Sequence, residues 1–117
     1  MALCGDGGFG WSLQELSTAR QYDIGAVTIV FNDGGYGILR NLQDTHFDGR
    51  RFGVDLVTPD FVALAGSFGI RADSVDGLGE HFGVALKGHL ALREPTMLVA
   101  RASLGPPPNV SPRWYRR

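Results

Sequence analysis

Apolar residues along this chain come in short blocks separated by glycine-rich breaks, and the spacing inside each block differs. Ala2-Leu3-Cys4 forms the first block and stops at Gly5-Asp6-Gly7-Gly8. Ser12-Leu13-Gln14-Glu15 then matches the S-x-x-E capping box, and Leu13, Leu16, Ala19 and Tyr22 follow at helical spacing, which predicts a helix of roughly ten residues. After Gly25, residues 26–31 (Ala-Val-Thr-Ile-Val-Phe) are continuously apolar and rich in β-branched types. A run without alternation is the pattern of a strand buried on both faces, as in a parallel sheet. It stops at Asn32-Asp33-Gly34-Gly35. The first third therefore predicts strand, Gly-rich loop, helix, strand and second Gly-rich loop, one βαβ unit.

The later pattern continues the alternation less sharply. Residues 36–42 suit a short helix, and residues 43–57 hold no strong period and predict a loop. Thr58-Pro59-Asp60 is a helix start leading into Phe61, Leu64, Ala65 and Phe68, with Gly69 as the stop. A strand over residues 72–75, a helix over 78–92 and a last buried strand over 96–100 complete the pattern. The expected fold class is α/β, a mostly parallel sheet of about four or five strands with helices on both faces. Residues 1–104 form the expected domain, and 105–117, with three consecutive prolines and Trp114-Tyr115, an extended tail. The first strand begins almost at Met1, which leads us to expect a chain lacking part of its N-terminal side.

Composition narrows the class of function. A formal charge of −1 and 44% hydrophobic residues describe an ordinary globular domain. Basic residues form no stripe with interleaved aromatics, which argues against nucleic acid. No apolar run approaches the ~20 residues of a membrane span, and no leader is evident, so the expected location is cytoplasmic. The single cysteine, Cys4, reads as a small buried residue. His46, His81 and His89 lack ligand spacing and read as surface or helix-face residues, and Phe61 and Phe68 as core.

The chemistry lies in the two glycine loops, which account for many of the 17 glycines. In a βαβ unit both strands end on the same sheet edge, where open α/β sheets bind ligands. Asp6 and Asp33, 27 residues apart, would then stand side by side. Two carboxylates among glycines, with a helix N-terminus starting near Ser12 pointing at them, call for a cation. Mg²⁺ favours oxygen ligands and commonly joins carboxylates to phosphate oxygens, while glycines let backbone N–H groups approach those phosphates. The residues alone thus predict a metal-bridged diphosphate site. Gly5-Asp6-Gly7-Gly8-Phe9-Gly10 is also a literal G-x-G-x-x-G, the mark of an NAD(P)-binding Rossmann unit. An aspartate facing a pyrophosphate without a cation, and a second glycine loop such a unit does not need, weigh against that reading.

Gly5-Asp6-Gly7 followed by Asn32-Asp33 resembles the two-part signature of thiamine-diphosphate (ThDP) enzymes. Gln14-Glu15-Leu16, the stretch from Asn32 to Gly37 and the stretch from Pro59 to Ala65 are similar to the acetolactate synthase and 2-oxo acid decarboxylase group. The resemblance implies ThDP and Mg²⁺ as cofactors, with the Asp6 and Asp33 carboxylates and the Gly35 carbonyl as metal ligands. It also implies that Gly5, Gly7, Gly8, Tyr36 and Gly37 line the diphosphate, and that Ile38 and Leu39 face the thiazolium and substrate. Three positions depart from the pattern: Gly8 stands where Ser is frequent, Asp33 where Asn is commoner, and Leu42 where acetolactate synthases resemble one another in a Trp. The resemblance further implies a complementary pyrimidine-binding domain or subunit that supplies the activating glutamate, in a dimer or tetramer, and a small 2-oxo acid as substrate. The expectation is a diphosphate-binding part that is not catalytic alone; an inactive remnant or a subunit of a split enzyme is the alternative.

Overall fold

The computed structural model describes residues 1–105, so the tail expected from Gly105 onward falls outside the described residues beyond that point. Four strands form one sheet: β1 (Ala2–Gly5), β2 (Val27–Asn32), β3 (Arg71–Asp76) and β4 (Thr96–Arg101). Their order is β1-β2-β4-β3 and every neighbouring pair is parallel, so the fold is α/β as expected. The helices are α1 (Asp6–Phe9), α2 (Glu15–Gln21), α3 (Gly37–His46), α4 (Phe61–Ser67) and α5 (Glu80–Ala91).

The apolar runs of β2 and β4 are continuous because these two strands are central and covered on both sides. On one face Val30, Met97 and Val99 pack with Phe9, Leu16, Phe61, Ala65 and Ile70 from the segments carrying α1, α2 and α4. On the other, Val27, Ile29 and Leu98 pack against Phe82, Ala85 and Leu86 of α5. Ile29, Val30, Met97 and Leu98 are essentially fully buried. At ~1.5–3 kcal/mol for each such side chain, these two strands carry much of the burial that stabilises the sheet. By contrast Leu3 of the edge strand β1 is 61% exposed, so β1 is held chiefly by its ladder to β2. Cys4 is only partly buried; it packs on the first cluster, donates to the Ile29 carbonyl at 3.5 Å, and its thiol is pushed up by burial.

Local signals account for some helix ends and not others. Asp60 caps α4 as expected, its carboxylate accepting from the Val62 and Ala63 amides at 3.0 Å, and Gly69 follows at φ +70°. Phe61 is buried and meets the Phe9 ring edge-on with centroids 5.7 Å apart; Phe68 packs on the same cluster.

The capping box at Ser12 does not form. The chain enters helical turns at Asp6, and successive i→i−3 bonds run through residues 11, 12, 15, 16 and 17. Within these turns the Ser12 hydroxyl donates to the Phe9 carbonyl instead of accepting an amide, and α2 begins only at Glu15. The helix N-terminus expected near Ser12 at the sheet edge is therefore replaced by the short turn α1. Tyr22 is also exposed rather than part of a packed stripe. Among the described residues no helix is long and apolar enough to cross a membrane.

His81 is exposed and His46 closes α3, whereas His89 is a helix-face residue on the inner face of α5, only 3% exposed. Its Nε2 stands 3.2 Å from Asp73 Oδ2, in a geometry that forms no hydrogen bond, and Nδ1 is unpartnered. Burial holds the imidazole below its ordinary value of 6.5, reinforced by Arg71 and opposed by Asp73. A folded value below the unfolded one means that this group's contribution is present above about pH 6.5 and is lost as pH falls toward the folded value. His89→Gln should flatten the decline in urea midpoint between about pH 7 and pH 5. An unaltered decline in the variant would contradict the assignment.

Candidate functional site

Because β1 and β2 are adjacent and parallel, Gly5 aligns with Phe31 and both glycine loops leave the same sheet edge. The side chain that joins them is Asp6, the first residue of α1 and only 4% exposed. Its Oδ1 accepts from the Gly7 amide at 2.7 Å. Its Oδ2 accepts from Gly34 N–H at 2.9 Å and Gly35 N–H at 3.0 Å. One carboxylate thus ties together residues 28 and 29 positions apart. Gly34 N–H also contacts Asn32 Oδ1 at 3.2 Å, which tightens the turn after β2.

Asp33, with a side chain 12% exposed, begins the second loop. Its carboxylate fills the space that a side chain at position 37 would need, so Gly37 is required for this approach. Gly35 is required for another reason: a Cβ there would collide with the Val54 carbonyl and the Arg40 guanidinium. That collision exists because the loop is paired with a returning segment. Gly35 bridges antiparallel to Asp55, Tyr36 N–H donates to the Val54 carbonyl at 2.8 Å, and Leu56 N–H donates to the Gly34 carbonyl at 2.9 Å. The Tyr36 amide is thus engaged within the protein, while the Tyr36 ring lies over the Gly7 backbone. Beyond it α3 begins at Gly37, and the first-turn amides of Gly37, Ile38 and Leu39 have no acceptor within the helix.

Two clefts flank the second loop. One, of about 240 Å³, is lined by Gly5, Phe31, Asp33, Gly35, Gly37, Ile38, Asn41 and Leu104. The other, of about 410 Å³, is lined by Asp6, Gly7, Tyr36, Trp11, Leu56 and Val57 among others. The residues singled out from sequence are therefore brought to one edge but divided between two clefts. Gly8 and Leu39 line neither, and Gly8 is exposed. His46 ends α3, nine residues and so roughly 13 Å from the loop, away from the site. Among the described residues no cluster of three or more His, Cys, Asp or Glu suited to a metal occurs. Arg40, Asp55, Phe31, Asn41 and Leu104 were not singled out from sequence. For Arg40 a signal existed in its place one turn into the helix after the loop; for the others no local pattern pointed to the site.

The comparisons with known proteins agree with this fold. Residues 1–100 match the family model described as the thiamine pyrophosphate enzyme, C-terminal TPP binding domain. The probable acetolactate synthase large subunit of Methanocaldococcus jannaschii is 38% identical over 76 residues, covering 64% of this chain and 13% of that protein. The acetolactate synthase large subunit of Buchnera aphidicola subsp. Acyrthosiphon pisum is 32% identical over 99 residues, covering 84% of this chain and 15% of the relative. Among solved structures, the thiamine diphosphate-dependent 4-hydroxybenzoylformate decarboxylase of Rhodococcus jostii superposes with a TM-score of 0.79 at 36% identity, over 88% of this chain and 19% of its own. The chain thus spans 13–15% of the length of these two curated relatives.

The loop-joining role of Asp6 predicts a stability effect that needs no ligand. Asp6→Ala leaves the Gly7 and Gly35 amides without an acceptor and Gly34 with Asn32 Oδ1 alone, and should cost roughly 2–4 kcal/mol in metal-free denaturant unfolding. Asp33→Ala, which removes no acceptor of a loop amide, should cost much less. Equal stability of Asp6→Ala and the unaltered chain would refute the joining role.

Proposed function

The chain belongs to the thiamine pyrophosphate enzyme family, as its C-terminal TPP-binding domain, and from that premise we propose that it grips the cofactor's diphosphate through Mg²⁺ held by Asp6 and Asp33. The observation that supports this reading is the Asp6 carboxylate reaching across to the second loop, where it accepts from the two residues that follow Asp33. The donor set suits the ion. Mg²⁺ takes oxygen ligands, and two carboxylates with one peptide carbonyl, that of Gly35, leave positions for diphosphate oxygens. A carboxylate has about four acceptor sites, and Asp6 uses three on amides, one on Oδ1 and two on Oδ2, so Oδ1 keeps capacity for a metal.

Within this reading the glycines of the first loop, Gly5, Gly7 and Gly8, admit the diphosphate close to the backbone. The first turn of α3, Gly37 through Leu39, offers amides and the positive end of a ten-residue helix. Tyr36 contributes its ring rather than its amide. Ile38 and Leu39, 59% and 43% exposed, form an apolar rim suited to the thiazolium and substrate side of the cofactor. When bound, ThDP supplies an electron sink for making or breaking a C–C bond beside a carbonyl. The substrate class is a small 2-oxo acid, by similarity to the decarboxylase and acetolactate synthase relatives. The exposed rim, with Trp11 and Val57 also open to solvent, supports docking of a complementary pyrimidine-binding domain or subunit that brings the activating glutamate.

Calorimetric titration of the chain with ThDP should show binding that requires Mg²⁺ and disappears in Asp33→Ala, a variant expected to keep its fold. Equal affinity with and without the ion, or in the variant, contradicts the ligand assignment. A second measurement addresses catalysis: the purified chain with ThDP, Mg²⁺ and pyruvate should show no decarboxylation or carboligation. Turnover above the cofactor-only background would overturn the need for a partner.

A further inference from the structure

The second loop is shaped by more than its own strand and helix. The return segment at residues 54–56 pairs with it through the Tyr36–Val54 and Leu56–Gly34 backbone bonds. Arg40 is wedged between the two. Its Nη2 donates to the Asp33 carbonyl at 3.1 Å and lies 3.8 Å from Asp33 Oδ1. Its Nε stands 2.9 Å from Asp55 Oδ1, an ion pair whose N–H is not aimed along the contact. The Arg40 side chain is 18% exposed and that of Asp33 12%, whereas Asp55 is 71% exposed.

This arrangement answers a physical difficulty. A carboxylate that is to ligate a cation has to hold one direction before the ion arrives, and that of Asp33, largely buried against Gly37, has the Arg40 guanidinium 3.8 Å away. A planar guanidinium can hold a peptide oxygen, approach a carboxylate and lean on a second acid at once, which a point-charge ammonium cannot. We propose that Arg40 is a positioning residue for the second acidic ligand. It ties the Asp33 peptide to Asp55 on the return segment, so that the Asp33 carboxylate and the Gly35 carbonyl are set before a divalent cation arrives. The inference rests on the function proposed above and adds to it a preorganising contact outside the ligand set.

Direction distinguishes this role from a simple charge effect. Removing a cation beside a metal site strengthens the attraction for Mn²⁺, whereas removing an orienting contact weakens binding. The test is the affinity of the full chain for Mn²⁺ in the presence of ThDP, read by the loss of the free-Mn²⁺ paramagnetic resonance signal. Arg40→Met should weaken it about 10–100-fold, the range for outer-shell partners, and broaden the bound signal. Arg40→Lys, which keeps charge and most of the packing, should fall between Met and the unaltered chain. Asp55→Asn, at an exposed position that leaves Asp33 untouched, should weaken binding in the same direction by less. In an Asp33→Asn background the Arg40→Met loss should shrink at least about threefold, as expected for directly coupled groups.

Unchanged or tighter Mn²⁺ binding in Arg40→Met, with Asp33→Ala still abolishing it, overturns the role of Arg40 and leaves the proposed function standing. An identical Arg40→Met loss with Asp or Asn at position 33 makes Arg40 a general scaffold residue and also overturns the proposal. If the unaltered chain binds no Mn²⁺ with ThDP, or Asp33→Ala binds as well as it, the proposed function fails and this inference with it.

Discussion

The Asp6 carboxylate is the interaction on which this site depends. Its three accepted amide bonds come from both glycine loops, and two of them cross from the end of β1 to the turn after β2. Of the three donors, Gly7 and Gly35 would otherwise be left without a partner, and Gly34 would keep only Asn32 Oδ1. The loops are rich in glycine and have few side chains with which to hold a shape. A shared acceptor substitutes for packing. That same acceptor is the group that faces the rim, so the contact that organises the loops and the contact proposed for the ion are made by one side chain.

The sheet makes this convergence possible and also keeps it local. Central β2 and β4 are covered on both faces, which gives the rim a rigid base, while β1 is an exposed edge held by four paired residues. Buried His89 stands beside Asp73, which is 55% exposed and third in β3, whereas the glycine loops leave the ends of β1 and β2. Titration there bears on folding through α5 and β3. The charged groups that act on His89 are Asp73 and Arg71, and neither Asp6 nor Asp33 is among them.

What was legible in the sequence follows from where the determinants are local. The run over residues 26–31 reads as a buried parallel strand because burial on both faces removes alternation, and β2 occupies Val27–Asn32. Asp60 was readable as a cap because the extended residue before α4 leaves its carboxylate facing two amides. Ser12 failed by the same logic. Gln14 before α2 is already helical at φ −62° and ψ −23°, so the turn continues from Asp6 and no extended residue stands there to cap it. Helix α3 runs four residues past the expected end at 42 because it buries no side chain, so apolar spacing had nothing to record. The return segment was the least legible of all. Its bonds to the loop are backbone to backbone, and of its side chains only Val54 is buried, so no periodic apolar pattern marked it.

The charge pattern of the rim selects among ligands. On the proposed function, a pyrophosphate brought alone would meet the acids Asp6 and Asp33, and the amides that could offset that repulsion are partly committed to Asp6 or, at Tyr36, to Val54. On the proposed function, the same pyrophosphate brought with a divalent cation would meet a site whose acids could serve as ligands, with the first-turn amides of α3 available to its oxygens. This is where the resemblance to a G-x-G-x-x-G dinucleotide loop parts from the observed geometry. In that motif the phosphate approaches the backbone directly, and an acid inside the glycine run would oppose it. Here the acid inside the run is the hinge of the whole arrangement. The replacement of the commoner Asn by Asp33 raises the negative charge further, and Arg40 stands where that charge needs an answer. On that proposed function, the site would disfavour a bare anion and admit one that carries its own counter-charge.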